Sequence, residues 1–331
     1  MSEGSSTMPG IDTAELKGQR VFITGGGGFI GSMLAGKLLD QNEVVIYDAF
    51  SRDSLSNKSF VDHPNLTVVR GDILDVGPLR DTMAGATMVV HCAAIAGIDT
   101  VIKSPVTTMR VNMVGSANVL ASAAELTDLQ RVVCFSTSEV FGQRAFRASE
   151  SDATITGAVG EARWTYAVSK LAEEHLAQAY NQETGMPVAV VRPFNVYGPG
   201  QVGEGALRNF VQRALRDEEI QIHGDGTQIR AWCYVDDMVA GVMLGLTHPN
   251  AVGESFNIGN ARAVTTIYGL ASTIVRVLGS KSRITFVNKD YADVELRVPS
   301  VEKARELLGF EAKVDLEEGI ERTGEWYRSQ M

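Results

Sequence analysis

From Arg20 onward, short apolar runs alternate with longer stretches whose apolar residues recur at helical spacing. Strands are expected at 20–24, 43–48, 67–70, 87–91, 131–135 and 187–192, and helices near 28–39, 77–83, 106–126 and 165–184. Met88-Val89-Val90 and Val132-Val133-Cys134-Phe135 are apolar without alternation, as strands covered on both faces are. This order predicts an α/β parallel sheet flanked by helices. After about residue 195 the texture changes. A glycine-rich loop at 198–205 precedes shorter elements: helices near 206–216, 236–247, 266–278, 301–308 and 316–328, with brief strands at Ile220-Gln221-Ile222 and Ser255-Phe256-Asn257-Ile258. The expected division is a flexible tail over 1–17, a larger domain over 18–195 to which 231–260 returns, and a smaller C-terminal α/β lobe over 196–331.

The pattern is sharpest at Val21-Phe22-Ile23-Thr24-Gly25-Gly26-Gly27-Gly28-Phe29-Ile30-Gly31, where an apolar strand turns through glycines into a helix. Such a turn lets a phosphate approach the backbone and meet the unpaired N–H groups of a helix start. The spacing Gly25, Gly28, Gly31 is that of a dinucleotide-binding turn, and Phe29 and Ile30 belong to it. The next strand ends in Asp48, 17 residues after Gly31, where an acid can accept both hydroxyls of a ribose and repel a 2′-phosphate. The cofactor expected is therefore NAD, on a Rossmann-type doubly wound sheet. Arg52, four residues on, is the one nearby group that could meet a phosphate instead.

Charge and composition narrow the partners. A net charge of -10 and a pI near 5.1 argue against a nucleic-acid surface. Cys92, Cys134 and Cys233 are widely spaced, two of them inside apolar runs, and suggest buried thiols rather than disulfides or a metal site. No apolar run reaches about 18 residues and the N-terminus lacks a leader pattern, so a cytoplasmic protein without membrane contact is expected.

Two further segments carry chemistry. Ser136-Thr137-Ser138-Glu139 follows the fifth strand, and Tyr166 and Lys170 stand four apart on one helix face. A lysine ammonium beside a phenol favours the phenolate, which is what a tyrosine base needs at neutral pH. The Thr137 hydroxyl can hold the substrate oxygen.

With these residues the chain resembles an extended short-chain dehydrogenase/reductase, of the group of nucleotide-sugar epimerases, dehydratases and decarboxylases. The resemblance runs in order through Thr24-Gly25-x-x-Gly28-Phe29-Ile30-Gly31, Gly71-Asp72-Ile73, His91-Cys92-Ala93-Ala94, Asn112, Ser136 to Gly142 and Tyr166-x-x-x-Lys170. It continues through Arg192-Pro193-Phe194-Asn195-Val196-Tyr197-Gly198-Pro199 and Arg230-Ala231-Trp232-Cys233-Tyr234-Val235-Asp236-Asp237. It implies a tightly held NAD, a nucleoside-diphosphate sugar in the cleft, and Tyr166 as the base that removes a sugar hydroxyl proton. Asp72 and Ile73 would flank the adenine, Ala93 would line the cofactor site, and Asn195 and Arg230 would meet the diphosphate side of the substrate. A homodimer through the helices near 106–126 and 165–184 is implied as well. For Arg230 a structural ion pair with Asp236 or Asp237 is the competing reading.

Within the group, Thr137-Ser138-Glu139, the Arg163-Trp164-x-Tyr166 context and Arg297-Val298-Pro299 resemble UDP-glucuronate decarboxylases, which form UDP-xylose. Glu139 would assist decarboxylation, and Arg297 would handle the sugar carboxylate or the returning proton unless it is bound to Glu295 or another acid. Two departures stand out. Gly198-Pro199-Gly200-Gln201 lacks the Gly-Pro-Arg of such enzymes, and Phe141 replaces a Tyr. A 4,6-dehydratase or 4-epimerase acting on another sugar is the alternative, and a non-catalytic dinucleotide sensor a remote one.

Overall fold

The computed structural model describes residues 16–288 and 294–331. β1 (Arg20–Thr24) turns into α1 (Phe29–Leu38), and β2 (Glu43–Asp48) and β3 (Leu66–Arg70) extend the sheet on one side. After α2 (Val76–Met83), β4 (Met88–His91) pairs with the other side of β1. There follow α3 (Ile98–Lys103), α4 (Pro105–Met109), a π turn at Arg110–Val114, α5 (Gly115–Ala124) and β5 (Arg131–Phe135). The helical spacing predicts one helix over 106–126, and the π turn breaks it. The reason is Asn112, whose amide exchanges bonds with Ile95 N and O (2.8 and 3.0 Å) and reaches Ser169 Oγ at 3.0 Å. A π turn lets one residue bulge toward such partners.

Next come β6 (Arg144–Ala148), α6 (Thr165–Thr184), β7 (Val188–Pro193) and β8 (Val196–Tyr197). The chain then forms α7 (Ala206–Leu215), β9 (Ile220–His223), β10 (Ile229–Ala231), β11 (Cys233–Tyr234) and α8 (Val235–Thr247). It closes with β12 (Glu254–Ile258), β13 (Val264–Thr266), α9 (Ile267–Val277), β14 (Ile284–Val287), β15 (Leu296–Pro299), α10 (Glu302–Leu308) and α11 (Leu316–Ser329).

Seven strands form one parallel sheet in the order β12-β7-β5-β4-β1-β2-β3. Successive residues of a strand point to opposite faces. Val21 and Ile23 of β1 enter one core and Phe22 the other; Val44 and Ile46 of β2 part likewise from Val45 and Tyr47. Both faces of the inner strands are buried, which is why these strands read as unbroken apolar runs, whereas the edge strand β3 has no buried residue. Winding reverses between β1 and β4, where Thr24 lies beside His91, and the crevice of such a sheet opens at that point.

A second sheet, β13-β10-β15-β6, is built from strands that the apolar pattern does not reveal. β10 and β15 run parallel, with Arg230 registered against Arg297. Residues 254–258 supply the edge of the large sheet beyond β7, and α8 packs against β5 and β7. Residues 1–15 of the expected tail lie outside the described residues. Leu16, also expected there, is buried instead, its carbonyl accepting from Asn42 Nδ2 at 2.9 Å.

Candidate active site

The glycine turn sits at the switch point. Gly25 has φ +71°, and a Cβ there would lie 2.5 Å from Ala93 N at the end of β4. A Cβ at Gly31 would lie 2.5 Å from Gly25 O, so glycine lets α1 start against the turn itself. The first turn of α1 has no capping side chain and no acidic residue, leaving its N–H end toward the crevice. Asp48 stands at the tip of β2. Its Oδ2 accepts from Gly27 N (2.8 Å) and its Oδ1 from Phe50 N (2.6 Å), while burial lifts its carboxyl above the ordinary range. Arg52 turns away to Ala96 O at 2.8 Å and lies 4.0 Å from Glu204.

Asp72 closes a local turn through Leu74 N at 2.9 Å. Ile73 is buried against Gly115 and its carbonyl accepts from Asn118 Nδ2, so any contact with an adenine comes from its backbone.

At the end of β5, Thr137 caps a short 3-10 turn over Ser138–Phe141, its hydroxyl accepting from Glu139 N at 3.2 Å. Ser138 is buried in that turn. Glu139 projects into a cleft of about 500 Å³ whose lining includes Arg163, Asn195, Arg230, Trp232 and Arg297. Arg163 Nη1 donates to Glu139 Oε2 at 2.7 Å, and Arg297 Nη1 lies 3.5 Å from Oε1. Burial pushes Glu139 up, but the two guanidiniums outweigh it and hold its carboxyl below the ordinary range. Arg163, read from the sequence only as part of the Arg163-Trp164-x-Tyr166 context, is thus a member of the site, and nothing in that context gave Glu139 as its partner.

Tyr166 differs from expectation. Its phenol is held above the ordinary value by burial first, then by Glu139 and Glu173; the Thr137 hydroxyl and Arg297 draw it down less strongly. Lys170, expected to lower it, is paired with the buried Glu173. Asn195, at φ +40°, donates from Nδ2 to Ala231 O at 2.8 Å and so ties β7's end to β10. Neither acid proposed as an Arg230 partner holds it: Asp237 accepts from Lys313 N and Val314 N, and Asp236 lies 3.9 Å from Arg322. Arg230 Nη2 instead donates to Val294 O at 2.6 Å. Likewise Glu295 pairs with Arg144, and among the described residues Glu139 lies beside Arg297.

A rim loop closes this region. Glu204 accepts from Asp99 N (3.0 Å), Thr100 N (3.1 Å) and Thr100 Oγ1 (2.8 Å), and Ser54 Oγ donates to Gly200 O.

The profile of the NAD dependent epimerase/dehydratase family matches residues 21–259. The chain is 32% identical to a UDP-N-acetyl-alpha-D-glucosaminuronate decarboxylase of Bacillus cytotoxicus, over 94% of this chain and 98% of that one. It is 34% identical to UDP-glucuronic acid decarboxylase 3 of Arabidopsis thaliana, over 94% and 90%. The chain belongs to the NAD-dependent epimerase/dehydratase family. It is an enzyme, and its cofactor is NAD. A family structure, UDP-glucuronic acid 4-epimerase from Bacillus cereus with UDP-glucuronic acid and NAD, superposes with a TM-score of 0.85 at 28% identity, covering 94% of this chain and all (100%) of that one. The residues at the switch point fit the cofactor of this family: an uncapped helix start over glycines for the pyrophosphate, and Asp48 at the tip of β2 for a ribose. Among the described residues no helix is long and apolar enough to cross a membrane, and no cluster of His, Cys, Asp and Glu could hold a metal ion.

Proposed function

We propose that the enzyme converts UDP-glucuronate to UDP-xylose, a decarboxylation through a 4-keto sugar without net redox change. The observation that carries this reading is Glu139 held between Arg163 and Arg297 in the cleft. Moving a hydride on and off carbon 4 needs one acid–base group, and Tyr166 with Thr137 supplies it. An ionised carboxylate between two guanidiniums has no task in that step. A uronic acid gives it one, because Arg163 and Arg297 line the cleft beside Glu139 and a guanidinium takes a substrate carboxylate in the same forked geometry. The two decarboxylases and the epimerase to which the chain is similar carry UDP-linked uronic acids in their names, which supports the same substrate class.

When bound, NAD supplies the hydride acceptor and donor at carbon 4. Gly25, Gly28, Phe29, Ile30, Gly31, Asp48, Asp72, Ile73 and Ala93 hold it, with Tyr166 and Lys170 on the nicotinamide side. Tyr166 takes the hydroxyl proton and Thr137 fixes that oxygen. The resulting β-keto acid loses CO₂ as the carbon 5–carbon 6 bond breaks and its electron pair runs into the carbon 4 carbonyl. The enolate so formed takes a proton at carbon 5, and Tyr166 gives its proton back to the carbon 4 oxygen as the hydride returns to carbon 4. Arg297 holds the carboxylate beforehand. Glu139, presented by Ser138 in the short turn, opposes the carboxylate's charge and favours its departure as a neutral gas. Asn195 and Arg230 face the diphosphate.

Incubation of the NAD-loaded protein with UDP-glucuronate is expected to release one CO₂ per sugar nucleotide, followed by mass. Clean 4-epimer without mass loss would overturn the reading. An ionised Glu139 also suits removal of the carbon 5 proton, which keeps a 4,6-dehydratase as the second reading. E139Q is expected to cost either reaction about a hundredfold or more while sparing epimerisation at carbon 4.

The working form in this reading is a homodimer through α4, the π turn and α6, supported by Val106 (80% exposed), Val114 and Val168 standing open there. Light scattering should return twice the chain mass; a monomer at micromolar concentration would exclude the dimer. Three cysteines free of disulfides suit the reducing cytoplasm.

A further inference from the structure

Lys170 has 1% of its side chain exposed, and Glu173, one turn along α6, has none. The ammonium is paired with Glu173 Oε2, which also accepts from Ser116 Oγ of α5 at 2.9 Å. Ser116 Oγ in turn lies 2.8 Å from His91 Nε2, and His91 Nδ1 lies 2.7 Å from Thr24 Oγ1 at the end of β1. Glu173 Oε1 has no hydrogen bond among the described residues. The adjacent Glu174 serves elsewhere, gripping Arg192 and Ser255.

A carboxylate taken wholly out of water, with one oxygen unpartnered, is costly and earns its place only through its partner. That partner is the lysine beside Tyr166. We propose that Glu173 is a positioning residue for Lys170. It anchors the ammonium against α5 and β4, and it cancels the ammonium's charge, so that Tyr166 faces a neutral pair rather than a bare cation.

The groups around Glu173 leave this pair in control of the local charge. His91 from β4 is kept neutral by burial and by Lys170, and burial keeps the Cys92 and Cys134 thiols protonated. On α6 itself Glu174 is neutralised by Arg192, and the Tyr166 phenol is raised by Glu173.

The test uses NAD-loaded protein and a readout that needs no substrate, so it stands or falls independently of the decarboxylase reading. The phenolate absorbance of Tyr166 is obtained by subtracting the Y166F titration from the native one, and Y166F/E173Q from E173Q. In E173Q the phenolate should form about one pH unit lower, the size expected when one nearby opposing charge is removed. A titration that is unmoved, or moved to higher pH, overturns the proposal.

Stability supplies a second measurement should E173Q fold poorly. E173Q strands a buried ammonium and K170M strands a buried carboxylate, so each alone lowers Tm. K170M/E173Q is expected to regain most of that loss. Losses that simply add would overturn the coupling.

Discussion

Glu139 and Glu174 owe their ionisation to arginines 24 and 18 residues away. Burial pushes both carboxyls up, and in each case the guanidinium partner outweighs it, leaving the folded value below the ordinary one. The unfolded chain therefore binds more protons than the folded one as pH falls through the carboxylate range. The stability these pairs add is present above the unfolded pKa of about 4.3 and is lost as pH drops through the folded value. The difference in Tm between native protein and E174Q should accordingly be largest near neutrality and shrink below about pH 4, by calorimetry at several pH values. A constant difference would mean that the Arg192 pair does not set it. Glu173 runs the other way: burial raises its carboxyl, so its contribution is greatest in acid and falls as pH rises. The residues that a sequence displays are those whose spacing is local, such as Gly25, Gly28 and Gly31, or Tyr166 and Lys170. Arg163 against Glu139, and Glu173 as the lysine's partner, depend on which side chains the fold leaves without water, and no spacing reports that.

At the level of elements, the turn between β1 and α1 tolerates little. G25A combines a positive φ with a Cβ pressed against the backbone of Ala93. It should cost about 1–3 kcal/mol and abolish NAD binding. G77A in α2, where a Cβ meets nothing within 4 Å, should leave both unchanged or add slightly to stability. Thermal unfolding and a cofactor titration separate the two, and equal effects would deny the turn its special role. The large sheet was readable because its inner strands are buried on both faces and written as apolar runs. β8, β10, β11 and β13 are two or three residues long, too short to show a period, and are held by partners distant in the chain. The break at the π turn is equally invisible, since it follows from where Asn112 finds Ile95 and Ser169.

Over the whole molecule, charge divides unevenly. The chain carries a net -10, yet its cleft sets Arg163, Arg213, Arg230 and Arg297 beside Asp99, Glu139 and Glu204. In the proposed reading these arginines are the local counter-charge for an anionic sugar nucleotide on an otherwise acidic protein. The chain's last third is interleaved rather than appended: β12 completes the large sheet while β10 and β15 build the small one. Glu204 and Gly200 complete the join from the other direction, fastening the loop after β8 to Thr100 and Ser54. Seen as traffic, that fastening is a fence along one bank of the crevice. Four hydrogen bonds hold that bank, and a hydride that goes out and comes back needs none of them undone. A reaction that ends with its cofactor in the starting state is the kind of chemistry this enclosure suits.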